Sequence, residues 1–116
     1  MLSQEQLALL KKAQDTYGIT NQLSVVMEEC CELATVLAKY IRYPDHESFC
    51  IDHRDKDLLG EIADVYICLH HLIMMFNVTT VELDGMVDAK LARLKRWLDA
   101  SPDMLQTVID RDVKVN

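Results

Sequence analysis

An all-α fold, a four-helix antiparallel bundle with a short C-terminal helix, follows from three features of the sequence. Half of the residues are apolar while only three are glycine and two are proline, which leaves little turn chemistry and much material for long regular elements. The apolar residues recur at i, i+3, i+4 and i+7 over long stretches, which is the helical period. Breakers and cap residues fall between those stretches, and 116 residues suit one domain with a single modest core.

Each element carries its own start and stop. Ser3-x-x-Gln6 is a capping-box start, and the first helix runs to Tyr17-Gly18, where glycine ends it. The second begins near Thr20 or Asn21, either of which can cap, and runs to Tyr43, because Pro44 cannot continue it. Residues 44–54 show no clear period and predict a connecting loop bearing charged and imidazole groups. A third helix spans about Asp55 to Phe76, and Asn77-Val78-Thr79-Thr80 closes it and caps a fourth from about Val81 to Asp99. Gly60 and Gly85 fall inside these last two helices at some cost in propensity, and each predicts a close contact or a local irregularity. Ser101-Pro102-Asp103 then opens a short amphipathic helix with Met104, Leu105, Val108 and Ile109 on one face. Residues 1–100 make the helical domain, and residues 101–116 are a tail belonging to that domain or to a subunit interface.

Charge and composition narrow the partners. A net charge of −7 is a poor match for a nucleic-acid backbone, which needs clustered Lys and Arg. No uninterrupted apolar run reaches the ~20 residues of a membrane span, and Met1-Leu2-Ser3-Gln4-Glu5 lacks a basic-then-apolar signal pattern. The expectation is a cytoplasmic protein that binds neither nucleic acid nor membrane. Cys30, Cys31, Cys50 and Cys68 have no C-x-x-C pairing and read as reduced thiols. A zinc site from Cys68, His71 and a loop histidine lacks a second paired ligand set.

The chemistry concentrates on two helices. On the second, Leu23, Val26, Met27, Cys30, Ala34, Leu37 and Ile41 form an apolar stripe that predicts core. Glu29 and Glu32 share another side, bracketed by Val25 and Val36. The third helix is apolar around almost its whole circumference and is expected to be buried on nearly all sides. Its acids past the first turn are Glu61 and Asp64, again three apart and so on one face. Two antiparallel helices can pool these four carboxylates in one pocket, where mutual repulsion makes a cation necessary. Oxygen-only ligands with room for water and phosphate suit Mg²⁺, with Mn²⁺ as a substitute. The plainer alternative pairs Glu29 and Glu32 with bases of the fourth helix and leaves Glu61 near a helix N-terminus. A di-iron centre would need Glu-x-x-His, and Tyr43, Cys50, Ile67 and Cys68 stand at that offset before the four histidines.

Glu28-Glu29-Cys30-Cys31-Glu32-Leu33, followed about thirty residues later by Glu61-Ile62-Ala63-Asp64-Val65, resembles the E-E-x-x-E and E-x-x-D signature of MazG-like nucleotide pyrophosphohydrolases of the all-α NTP pyrophosphatase superfamily. The likeness covers about residues 5–100 and fits the compact single-domain members. It implies that Glu29, Glu32, Glu61 and Asp64 bind Mg²⁺ and that the reaction is hydrolysis of a nucleoside triphosphate to the monophosphate and pyrophosphate. A house-cleaning role on deoxy- or altered nucleotides would follow. It further implies phosphate contacts from the last long helix, here Lys90, Arg93 and Arg96, although Leu94 stands where the family pattern has Asn. Glu28, one turn before Glu32, could orient the attacking water as a general base and Lys39 on the same side could reach a phosphate, with a solvated surface position the preferred reading for both. Tyr43, His46, His53 and Trp97 are candidates for base or sugar contacts, with packing the preferred reading for Tyr43 and Trp97; His70 and His71 read as structural. Phosphoribosyl-ATP pyrophosphatase activity and a non-catalytic helical interaction module remain the alternatives. The surplus of apolar helix surface, together with the tail stripe, predicts a homo-oligomer, a tetramer ahead of a dimer.

Overall fold

The computed structural model describes residues 1–42 and 56–100. Its regular structure there is entirely helical: α1 (Gln4–Tyr17), α2 (Ile19–Arg42), α3 (Lys56–Met75) and α4 (Thr80–Ala100). Tyr43, His46, Cys50, His53 and the proposed tail helix lie outside the described residues. The chain divides into two compact units, Met1–Asn77 with α1 to α3, and Val78–Asn116 with α4.

Helix ends are set by local chemistry. Ser3 accepts from the Gln6 backbone N–H at 3.1 Å while the Gln6 side chain accepts from the Ser3 N–H at 2.8 Å, the reciprocal box that satisfies two orphan donors. At the other end of α1, Gly18 takes φ +87° and its N–H donates to the Gln14 carbonyl. α2 starts at Ile19, a residue earlier than its cap residues suggest, because the Gly18 carbonyl already accepts from Gln22 N–H. After α3 the chain turns at Asn77, whose φ of +51° is tolerated by asparagine better than by most side chains. Thr79 then caps α4: its hydroxyl accepts from Glu82 N–H at 3.1 Å, and the Glu82 carboxylate accepts from both Thr79 N–H and its hydroxyl. Gly60 and Gly85 sit in regular helix, and among the described residues an added Cβ at either would meet nothing within 4 Å.

In the first unit α3 packs along α2, and α1 joins α2. The covered seam of α2 is Gln22, Val26, Glu29, Leu33, Val36 and Tyr40, a run at heptad spacing whose members are buried or partly buried. Val26 and Cys68 are the buried hydrophobic residues, accompanied by Gln22 and His71. This corrects the sequence reading in two places. Of the stripe assigned to the core only Leu23 and Val26 are covered, while Met27, Cys30, Ala34, Leu37 and Ile41 are exposed. α3 is likewise not enclosed on all sides: Leu59, Ile62, Tyr66 and Leu69 are each 43% to 52% exposed. The physical reason is the small number of neighbours, since one helix can cover only one side of another. His70 is partly buried and meets the Tyr66 ring edge-on at a centroid distance of 4.5 Å.

Candidate metal centre

Glu29 and Glu32 lie one turn apart on α2, and Glu61 and Asp64 one turn apart on α3. Packing of the two helices brings Glu29, Glu32 and Glu61 together with one oxygen from each inside 4.8 Å of the others. Asp64 stands outside that trio but close enough to act on it: its charge is the largest from any neighbour on Glu29, whereas Glu32 exerts the largest on Glu61. Pairing of Glu29 with Asp64 and of Glu32 with Glu61 is the order that antiparallel helices give; a parallel pair would reverse it.

Glu29 and Glu61 are partly buried and Glu32 is exposed. Burial pushes the Glu29 carboxyl above the ordinary carboxylate range, and the charges of Asp64, Glu32 and Glu61 push the same way. Glu61 is raised likewise, first by burial, then by Glu32, Asp64 and Asp57. In each of Glu29 and Glu61 one oxygen, Oε2, is fully shielded from solvent and has no hydrogen-bond partner. A shielded acceptor left unpaired costs free energy unless something meets it. Among the described residues no ion pair is formed by Glu29, Glu32 or Glu61. Three carboxylates converging with two orphaned oxygens fit a hard divalent cation.

Other predicted residues fall around this trio or apart from it. Glu28 and Lys39 are exposed on α2, on the flank that Glu32 also borders by helical spacing. Lys90 and Arg93 belong to the second unit, where they line an open groove of about 350 Å³ with Leu94 and Trp97. Trp97 is 42% exposed. Arg96 is exposed and is not among the residues that line the groove. Lys95 is paired with Asp99 at 2.8 Å. Of the thiol and imidazole pair considered for zinc, Cys68 and His71 are both buried; burial raises the Cys68 thiol and lowers His71, and the loop histidines lie outside the described residues. Two features went unread in the sequence. Gln22 is buried although polar, and its only signal is its position four residues before Val26. The second is that Leu94 joins Lys90, Arg93 and Trp97, all three already singled out in the sequence, in lining one groove.

Comparison of the chain with protein-family models, curated proteins and solved structures finds no match.

Proposed function

We propose that this chain is a Mg²⁺-dependent nucleoside triphosphate pyrophosphohydrolase of the MazG-like, all-α type, acting on deoxy- or altered nucleotides. The observation that carries the reading is the convergence of Glu29, Glu32 and Glu61 within 4.8 Å, with the shielded Oε2 atoms of Glu29 and Glu61 unpaired. The motif spacing that resembles the family selects these same residues.

Glu29, Glu32 and Glu61 offer oxygens to the cation, and Asp64 adds charge from beside them. Bound there, Mg²⁺ would supply charge neutralisation at the triphosphate and acidify a water. Glu28 is exposed one turn before Glu32, where a carboxylate can take the proton of the attacking water. Water adds to the α-phosphorus, the bond from that phosphorus to the bridging oxygen breaks, and pyrophosphate leaves. Lys39 is the base on α2 offered to the phosphates, since a positioned cation stabilises charge that grows in the transition state, and the resemblance alone assigns Lys90, Arg93 and Arg96 of the last long helix the same task.

The test is pyrophosphate release from a panel of standard, deoxy- and altered nucleoside triphosphates plus phosphoribosyl-ATP, with Mg²⁺, with Mn²⁺ and with EDTA. The proposal expects turnover that EDTA abolishes. Turnover confined to phosphoribosyl-ATP would move the chain to that activity, and no turnover on any member would leave a helical interaction module.

A further inference from the structure

The buried residues of the first unit gather at one level of the α2–α3 seam, and half of them are polar. Gln22 is 8% exposed and His71 4%, with Val26 one turn after the first and Cys68 one turn before the second. Gln22 precedes Glu29 by seven residues, and His71 follows Asp64 by seven. Seven residues are close to two helical turns. The antiparallel pairing that sets Glu29 against Asp64 and Glu32 against Glu61 therefore sets Gln22 against His71, about two turns from the carboxylates.

The two groups suit each other chemically. Burial lowers the pKa of His71, which keeps the imidazole neutral, with one nitrogen a donor and the other an acceptor. Its Nε2 is shielded and has no hydrogen-bond partner among the described residues. A carboxamide carries both donors and an acceptor, so Gln22 can serve the imidazole in either tautomer.

The apolar part of the seam does not fix a register by itself. A slip of one turn in one direction sets Val26 against Val65 and Leu33 against Leu58, and in the other sets Val26 against Leu72 and Leu33 against Val65. Either keeps apolar on apolar, as heptad spacing allows. The carboxylates favour a slip, because three of them within 4.8 Å repel one another until a cation arrives. The polar pair opposes it. One slip places Gln22 against Cys68 and His71 against Ile19, and the other places Gln22 against Met75 and His71 against Val26. Both leave two buried polar groups facing apolar side chains, which is costly.

We propose that Gln22 and His71 are positioning residues: as the polar pair sealed in an apolar seam, they fix the register of α3 on α2 and so hold Glu32 opposite Glu61 at the metal centre. A polar residue at one core position sets register between helices in this way at some expense of stability. That the carboxylates bind a cation rests on the hydrolase reading; the register itself does not.

Nitroxide labels read the register directly. In the full-length chain p-acetylphenylalanine replaces Ser24 and Gly60, which are exposed and stand at different levels of the pair, and each is coupled to a hydroxylamine nitroxide. Labelled protein is diluted with unlabelled protein, and the distance is measured by double electron–electron resonance. With the native Gln22 and His71, one narrow distance is expected. Gln22→Leu combined with His71→Leu removes both polar groups together, which leaves neither unmatched. Helical content and the urea midpoint should hold, yet the distance should move or split, since one turn is about 5.4 Å of travel along the axis. Mn²⁺ affinity, followed by the signal of the free ion, should weaken at least about tenfold, as for changes to outer partners of metal sites. His71→Gln keeps a polar partner opposite Gln22 and should retain the native distance, with an affinity within roughly threefold.

If the double Leu variant loses helical content, Gln22→Met with His71→Met takes its place. A folded double variant with the native distance overturns the inference whatever its urea midpoint, because the pair then serves packing alone. A moved distance with native Mn²⁺ affinity overturns it equally, since the carboxylates would not depend on that register. Failure of the native protein to bind Mn²⁺ would sink the metal reading instead, and the distance would still decide the register.

Discussion

The two faces of α2 invert the usual arrangement. The face turned toward α3 carries Gln22 and Glu29 among its covered residues, while the uncharged stripe from Met27 to Ile41 is open. A polar group held against a neighbour costs free energy unless a partner meets it, and an apolar stripe left in water forgoes its burial energy. The difference shows that the covered face is shaped by what must converge there, the carboxylates. The open face carries its apolar stripe without a neighbour among the described residues.

The sharpest way to break this comparison is Glu61→Gln, which keeps shape and removes one charge. If the covered face exists to hold a cation, Mg²⁺-dependent pyrophosphate release should fall by more than the roughly 10–100-fold typical of changes to the outer partners of metal sites. Circular dichroism should be unchanged. Activity within about threefold of wild type would remove Glu61 from the site.

A somewhat smaller effect is expected in stability. Mg²⁺ or Mn²⁺ that binds only the folded cluster should raise the Tm, with about 2.7 kcal/mol available at one hundred times the Kd. Glu29→Gln combined with Asp64→Asn should lose most of that rise. An equal shift in variant and wild type would locate the ion elsewhere.

The same carboxylates predict a pH dependence in EDTA. Glu29 and Glu61 have raised folded-state pKa values, so the fold binds protons more readily than the unfolded chain, and stability increases as pH falls from neutrality toward 4.5. His71 is lowered and opposes this, because its contribution is full above 6.5 and declines as pH falls. The difference between wild type and Glu61→Gln isolates the carboxylate: urea midpoints at pH 7.5 and 5.5 should show less stabilisation by acid in the variant. Parallel profiles would mean that Glu61 is not strained by its neighbours.

At α4, Thr79→Ala removes the cap hydroxyl, which accepts from Glu82 N–H and donates to the Glu82 carboxylate, while the backbone N–H that does most to hold Glu82 below its ordinary pKa stays, and about 1 kcal/mol should be lost in thermal unfolding. The smallest effect belongs to Gly60→Ala. Its surroundings are empty and its helical position is on neither the covered seam nor the open stripe, so a gain of about 0.5–1 kcal/mol is expected. A loss would place another surface against that side of α3.

Helix existence and ends were legible in the sequence because they depend on groups a few residues apart. Ser3 with Gln6, Gly18 after Tyr17, and Thr79 before α4 each satisfy backbone groups within a single turn. The pairing of acids within each helix was legible for the same reason, since a spacing of three fixes a shared side whatever surrounds it. Which apolar stripe of α2 would be covered was not legible. Hydrophobic residues span about half its circumference, and periodicity alone is satisfied by the 22-26-29-33-36-40 seam and by the 27-30-34-37-41 stripe alike.

Tertiary structure decided what local spacing cannot reach. Antiparallel packing with Glu32 facing Glu61 set the register, brought three of the four acids within 4.8 Å and left Asp64 just outside. It also sealed Gln22 and His71 in a core that no period marks as polar. These outcomes follow from contacts between residues about thirty or more apart, whose energies depend on which faces meet. The sequence determined four helices and the acids they carry, because each rests on contacts within a turn or two; the meeting of those acids is a property of the packed pair.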